Sequence, residues 1–559
     1  MLTALLIAML CVLAAASAGF CQGESAPRLA TPTPAQAAWQ DLEVGTFIHF
    51  APNTWTDQEG DDLSLPLETM NPEKLDTDQW AAAAQAMGAK YLVFVAKHVG
   101  GFCWWQTDTT DYSVKSIPWR GGKGDVLADL AESCRERGLK LGVYLSPCDR
   151  KHGAGVGGAC ATPAAQADYN ALYRRQLTEV LTRYGELCEV WFDGSNVVPV
   201  GDLLQKYAPT AMVFQGPHCT IRWVGNEEGF APDPAWNAVS AADAKSGVAT
   251  ARHGDPSGEV WLPNECDARI RNTWFWNTRN ASTLKTVDEL MTMYYRSVGH
   301  GAVLLLNHTP NTTGLLPEAD VRRGAEFGQE VRRRFGAALA ETFKPGPNLE
   351  LALPSPTSVD HALVMEDLAF GERVRAYTVE GWAGDRWVPL SSGTAVGHKK
   401  IDRFAPAEVS KVRFRCLDAA ATPKLRRFAV FSTGSRGTEA LAPTPVGAGE
   451  PHVAWTWTAA EVATHWTTVD LDLTRFCTEA TQYEAEFVRT GGQHDLEVQA
   501  VTLLFEGRAA AGFVERSARA NTFHLAIPGI GSPLTLRAVV RRGGGTDSRG
   551  EVVVRKSAA

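Results

Sequence analysis

Short apolar runs in the first part of the chain end in side chains able to do acid–base chemistry: His49, Lys97-His98, Asp149, Asp193, Arg222 with Glu227, Glu265 and Asn307. Three carboxyl groups matter most. Asp193 follows Val190-Trp191-Phe192 directly and precedes Gly194. An ionised side chain at the end of a buried strand is costly unless something pairs or uses it. On these grounds alone Asp193 is as readily a cap for the next helix as a reacting group. Glu227 sits in Gly225-Asn226-Glu227 and Glu265 in Pro263-Asn264-Glu265-Cys266-Asp267. Two carboxyl groups on opposite sides of a scissile bond are what glycoside hydrolysis requires: one attacks or activates water, the other protonates the leaving oxygen. Glu228, beside Glu227, reads as a solvated loop charge.

The elements that must position these groups are strand–helix units. Continuous apolar runs at 45–50, 91–97, 139–146, 189–192, 212–215, 260–263 and 302–307 have the pattern of strands buried on both faces. Amphipathic stretches at 72–87, 125–137, 164–184, 287–298 and 318–335 lie between and after them. The first has Pro72 near its start and Gly88 after its end, the usual helix asymmetry. Such units build a doubly wound sheet or a closed barrel. A barrel carries its reacting groups on the ends of many strands, as here, whereas a doubly wound sheet concentrates them at one switch point. No G-x-G-x-x-G follows the first strand. The expected fold class is therefore α/β, a (β/α) TIM-like barrel over residues 30–340, followed by one or two β-sandwich domains. The change to short alternating runs places a β-sandwich at 345–440, and a small β domain of unknown role at 455–559. The Pro/Gly-rich stretch 442–449 reads as the linker between them.

A chain of 559 residues exceeds a single core. Its net charge of −9 argues against a nucleic-acid or anionic-membrane partner. Residues 2–16 are nearly all apolar and end at Ala16-Ser17-Ala18, so 1–18 reads as a signal peptide and the protein as secreted or periplasmic. No later run is long enough to span a membrane. The 11 cysteines show no C-x-x-C pair and no metal-ligand spacing. A Cys148–Cys160 bridge is open to an exported chain, though buried free thiols are the blander reading.

Four stretches in order resemble the α-L-fucosidase family of glycoside hydrolases: Gly45-Thr46-Phe47-Ile48-His49-Phe50, Lys97-His98 with Gly101-Phe102, Trp191-Phe192-Asp193-Gly194, and Leu305-Leu306-Asn307 with Pro310 and Gly314-Leu315. The similarity covers roughly residues 39–336. It implies an exo-glycosidase that hydrolyses terminal α-L-fucose from fucosylated oligosaccharides or glycoconjugates by retaining double displacement, without metal or cofactor. It implies Asp193 as nucleophile, and His49 and His98 as ligands of the sugar hydroxyls. Tyr144 and Trp191 are then pocket walls, Arg222 an arginine touching the sugar, and Trp274 an aromatic near its methyl group. For the acid/base, Glu227 resembles the loop of the branch acting on α-1,3- and α-1,4-linked fucose, and Glu265 aligns with a motif of the other branch; Glu227 is preferred. The β domain after the barrel resembles the discoidin-like sandwich of the same branch.

The chain also departs from the family pattern. Val99 and Gly100 stand where a second His and an Asp are usual, Cys148 where a Trp is expected, and His308 where an apolar residue is common. These leave two other readings: a sugar-binding barrel without turnover, or a glycosidase for a related sugar. A metal-dependent hydrolase built from His49, His98, Asp149 and Asp193 lacks the spaced His pair of zinc motifs.

Overall fold

The computed structural model describes residues 29–245, 253–434 and, with short gaps, 452–556. The expected signal at 1–18 and the Pro/Gly-rich stretch 442–449 lie outside the described residues.

The chain forms a nearly closed parallel barrel. Its strands are β1 (Val44–Ile48), β2 (Tyr91–Lys97), β3 (Lys140–Leu145), β4 (Leu187–Trp191), β5 (Met212–Phe214) and β6 (Arg222–Trp223), then β9 (Asn264–Arg269) and β10 (Val303–His308). The hydrogen-bonded order is β5-β4-β3-β2-β1-β10-β9-β6. The two edges meet through a parallel bridge between Phe214 and Ile221. Every residue of β1, β2 and β10 is buried, which is why these strands are continuous apolar runs.

Two elements differ from the sequence expectation. The run at 260–263 contributes no barrel strand. Only β8 (Val260–Trp261) is extended there, and it pairs antiparallel with β7 (Ala238–Val239) in a separate ribbon. The barrel strand is the next segment, β9, whose inward side chains are polar. The helix expected from residue 72 starts instead at Thr77 and runs to Met87, because the Asp76 carboxylate takes the N–H groups of Asp78 and Gln79.

Inward-facing side chains fill the barrel in layers. Phe47, Tyr91, Val93, Val95, Tyr144, Trp191, Phe214, Val303 and Leu305 form one buried cluster. Gly45 is a spacing requirement: a Cβ there would lie 2.3 Å from the Tyr91 ring, which therefore crosses the interior over bare backbone. Trp39, on the helix Pro34–Gln40 that leads into β1, joins the same cluster.

After the barrel, six strands between Ala340 and Phe431 form one antiparallel sheet. Its two longest, Asn348–Glu366 and Lys400–Ala419, pair through bulges that let them bend. Beyond residue 452, a five-stranded and a four-stranded antiparallel sheet enclose a core of Trp457, Tyr483, Phe487, Leu503, Leu536 and Val552. The barrel and the six-stranded sheet share a hydrophobic cluster containing Leu363, Met365, Ile401, Ala429 and Phe431. Asp41, just before β1, accepts from His398 at 2.8 Å and from Arg426 at 2.9 Å. The described cysteines, Cys148 and Cys160 among them, are unbridged.

Candidate active site

The carboxyl ends of the barrel strands bring one cluster together. Asp193 lies two residues beyond β4 and is half-buried. Tyr144 Oη donates to its Oδ2 at 2.9 Å. Burial and the charge of Glu227 push the Asp193 carboxyl up, and the tyrosine hydrogen bond opposes them. The tyrosine itself is held far above its usual value by burial and by Asp193, so it stays a donor. The turn after Asp193 is sharp. Gly194 has φ +72° and Ser195, a non-glycine, has φ +87°. Gln215, just past β5, holds this turn by accepting the Gly194 N–H at 2.7 Å. A left-handed non-glycine residue beside a reacting group is a common form of stored local strain.

His49 lies just past β1 and is only 4% exposed. Its Nδ1 meets Asn307 Oδ1 at 2.8 Å, and Asn307 Nδ2 donates to the Trp274 carbonyl at 2.9 Å. With its amide so oriented, Asn307 offers an acceptor, so His49 carries its proton on Nδ1 and keeps Nε2 as an acceptor. Burial and the neighbouring His98 hold the His49 imidazole well below its usual value. His98, one residue beyond β2, stacks on Tyr144 with ring centres 5.7 Å apart. Burial lowers His98 to about 3. Its Nδ1 is buried without a hydrogen-bond partner. Two neutral imidazoles side by side present hydrogen-bonding atoms without charge, a surface that suits hydroxyl groups.

Trp274 closes this side. Its ring lies 5.0 Å from His49 and its indole N–H donates to Glu227 Oε2 at 3.1 Å. Arg269 Nη2 is 3.5 Å from the same oxygen, with its guanidinium 5.4 Å from the Trp274 ring. Glu227 is therefore an exposed carboxyl whose charge reaches Asp193. Glu228 points to solvent beside it. Glu59 also approaches. It accepts from the Trp274 backbone N–H at 3.1 Å, and burial raises its carboxyl.

Three sequence expectations need correction. Glu265, the alternative acid/base, is wholly buried inside the barrel, where it accepts from Tyr91 Oη at 3.0 Å and Trp191 Nε1 at 2.8 Å. It does not reach the open end where Asp193 lies. Trp191 is correspondingly an interior ring stacked 3.6 Å from Phe214, beneath the pocket rather than along its side. Arg222 faces outward from β6. Its Nη2 donates to the Trp236 carbonyl at 2.6 Å and Glu372 supports its charge, so it does not approach Asp193. The inward residue of β6 is Trp223, whose indole donates to Asp267 at 2.7 Å. Arg269 and Glu59 were missed. Alternation along β9 would have revealed Arg269, since Glu265, Asp267 and Arg269 share one face. Glu59 lies on an irregular loop and carried no sequence signal.

The departures around Lys97 also have a physical reading. Lys97 is buried and donates to Asp149 at 3.0 Å and Gln176 at 2.9 Å. Asp149 is thereby occupied, and among the described residues no three His, Cys, Asp or Glu side chains gather as a metal site. A Cβ on Gly100 would lie 2.0 Å from Asp61 Oδ2. The carboxylate of Asp61, which also accepts from Tyr112 Oη at 2.8 Å, thus occupies the space beside residue 100.

Comparison with known proteins adds an independent finding. The family model described as alpha-L-fucosidase matches residues 66–333. The chain is 33% identical over 466 residues to alpha-L-fucosidase 1 of Arabidopsis thaliana, covering 74% of this chain and 90% of that one. A Ruminococcus gnavus fucosidase of glycoside hydrolase family 29, solved with fucose, aligns at TM-score 0.64 and 28% identity over 73% of this chain and 97% of its own. A glycoside hydrolase 29 family member from an unknown rumen bacterium aligns at TM-score 0.68 and 26% identity. That alignment covers 95% of this chain and 97% of the other, so it extends through the terminal β domain.

Proposed function

Because this chain belongs to the α-L-fucosidase family of glycoside hydrolases, we propose that it is an exported enzyme that removes terminal α-L-fucose, α-1,3- or α-1,4-linked, from glycans by a retaining double displacement. Asp193 attacks the anomeric carbon and expels the aglycone as Glu227 protonates the glycosidic oxygen. Glu227, now a carboxylate, then takes a proton from water, whose oxygen attacks the anomeric carbon of the β-linked glycosyl-enzyme; the bond to Asp193 breaks, the aspartate leaves as a carboxylate, and α-L-fucose is released with net retention. His49 and His98 take sugar hydroxyls, and Trp274 with Phe275 offers an apolar wall for the methyl group.

One observation carries this reading. Asp193 is held by a hydrogen bond from Tyr144, and among the described residues the exposed carboxyl whose charge acts on it is Glu227. The linkage is supported by the Gly225-Asn226-Glu227 loop, and the export by the apolar residues 2–16. Hydrolysis of fucosylated oligosaccharides of defined linkage tests the specificity. Cleavage of α-1,2-linked fucose in preference to α-1,3 and α-1,4 would overturn it. Recovery of mature protein starting after residue 18 from the medium or periplasm tests the export.

A further inference from the structure

Below the pocket, in the barrel interior, lie two carboxyl groups that the reaction above does not use. Glu189 on β4 and Glu265 on β9 are wholly buried and are hydrogen-bond neighbours. Together they have four oxygens and three outside donors. Trp39 Nε1 donates to Glu189 Oε2 at 2.9 Å, Tyr91 Oη to Glu265 Oε2 at 3.0 Å, and Trp191 Nε1 to Glu265 Oε1 at 2.8 Å. The fourth oxygen, Glu189 Oε1, is buried and has no donor. Among the described residues no Lys or Arg compensates either carboxyl. The titratable groups around them are Tyr91, Cys188, Cys266 and Asp267, none of them a cation. Two bare carboxylates so placed would repel strongly in a water-excluding interior. A single proton between them removes the repulsion and supplies the missing donor at once.

We propose that Glu189 and Glu265 share one proton, and that the resulting monoanionic pair is a positioning element for hydrolysis. Its remaining charge holds the Trp191 indole N–H. Trp191 in turn stacks on Tyr144 with ring centres 5.9 Å apart, and Tyr144 donates to Asp193. The pair therefore fixes the ring on which the Asp193 contact rests, without touching substrate. Burial pushes both carboxyls up, in keeping with a retained proton at neutral pH. The positioning role rests on Asp193 being the reacting carboxylate; the shared proton does not.

Amide substitutions separate the partners. In Glu189→Gln the amide oxygen still accepts from Trp39 and the NH2 group donates to Glu265, so every hydrogen bond and the single charge survive. In Glu265→Gln an NH2 group must face either the Trp191 N–H or the Tyr91 O–H, and the charge moves away from Trp191. Steady-state kinetics on an aryl α-L-fucoside should leave Glu189→Gln within about twofold of wild type. Glu265→Gln should lose about tenfold or more in kcat, with KM little changed, as expected when alignment rather than binding is lost. The infrared difference spectrum at neutral pH, wild type minus Glu189→Gln, should show one protonated-carboxyl stretch over and above those of other buried carboxyls such as Asp267 and Glu366. Absence of that band from the difference spectrum would overturn the shared proton even if Glu265→Gln does not fold. Equal loss of kcat in folded Glu189→Gln and Glu265→Gln would overturn the positioning role. Failure of the Asp193 assignment would show separately, as turnover retained by Asp193→Ala.

Discussion

Tyr144 on β3 donates its hydroxyl proton to Asp193 beyond β4 across 2.9 Å, tying the carboxyl end of one strand to the body of its neighbour. Asp193→Ala should abolish turnover while the fold persists. A residual rate above about one hundredth of wild type would place the nucleophile elsewhere. Tyr144→Phe should cost about 1 kcal/mol in transition-state stabilisation, about fivefold in kcat/KM. The hydrogen bond holds the Asp193 carboxyl down against burial. Its loss should therefore move the acidic limb of the pH profile of kcat/KM to higher pH, since the nucleophile must be ionised.

The first sugar released should be α-L-fucose. Retention goes with carboxyl groups about 5 to 5.5 Å apart in the working complex, and inversion with about 6.5 to 9.5 Å. Proton NMR of early product decides between them, before mutarotation mixes the anomers. Initial β-fucose would mean a single displacement.

Glu227→Ala should nearly eliminate cleavage of natural oligosaccharides, whose leaving groups are poor, and spare glycosyl-enzyme formation from an activated aryl fucoside. Azide should then intercept the intermediate and yield a fucosyl azide. The same azide rescue from Glu265→Ala would reverse the assignment, and its burial beneath Trp191 argues that none will appear.

The two arginines should separate by assay. Arg269→Met removes the guanidinium beside Glu227 and Trp274 and should raise KM or lower kcat at least severalfold. Arg222→Met removes an outward hydrogen bond to the Trp236 carbonyl and should act on thermal stability, with kcat and KM within about twofold. Kinetic loss confined to Arg222→Met would contradict the orientation described.

Acid should weaken the fold through His98. Its imidazole is lowered to about 3 in the folded chain, from 6.5 when unfolded. Between those values the unfolded chain binds a proton that the folded one refuses. Stability is therefore full above 6.5 and falls towards pH 3, at up to about 1.4 kcal/mol per pH unit. Denaturant unfolding at pH 7 and pH 5 should show a smaller loss in His98→Asn than in wild type. Equal losses would assign the acid sensitivity to other groups.

What the sequence displayed depended on which side of a strand carried apolar residues. β1, β2 and β10 are buried on both faces and stood out as unbroken apolar runs. β9 did not, because Glu265, Asp267 and Arg269 point inward. An apolar stretch just upstream took its place in the reading. β6 is two residues long, so its facing was beyond any periodicity, and Arg222 rather than Trp223 seemed the functional member. Asp193, His49 and His98 were visible because each lies within two residues of a strand end. Glu59 lies on an irregular loop held by distant partners, the Trp274 backbone at Glu59 and Asn277 and Thr278 at Asp57, which no local pattern displays.

The apolar cluster common to the barrel and the six-stranded sheet sets where this chain can be divided. Leu363, Met365, Ile401, Ala429 and Phe431 lie in the same buried group as barrel residues, and Tyr295 Oη meets His361 Nε2 at 2.8 Å beneath it. A chain ending near residue 340 would expose that apolar surface to water. The barrel and the sheet should therefore unfold together, as one cooperative unit that runs at least to Phe431.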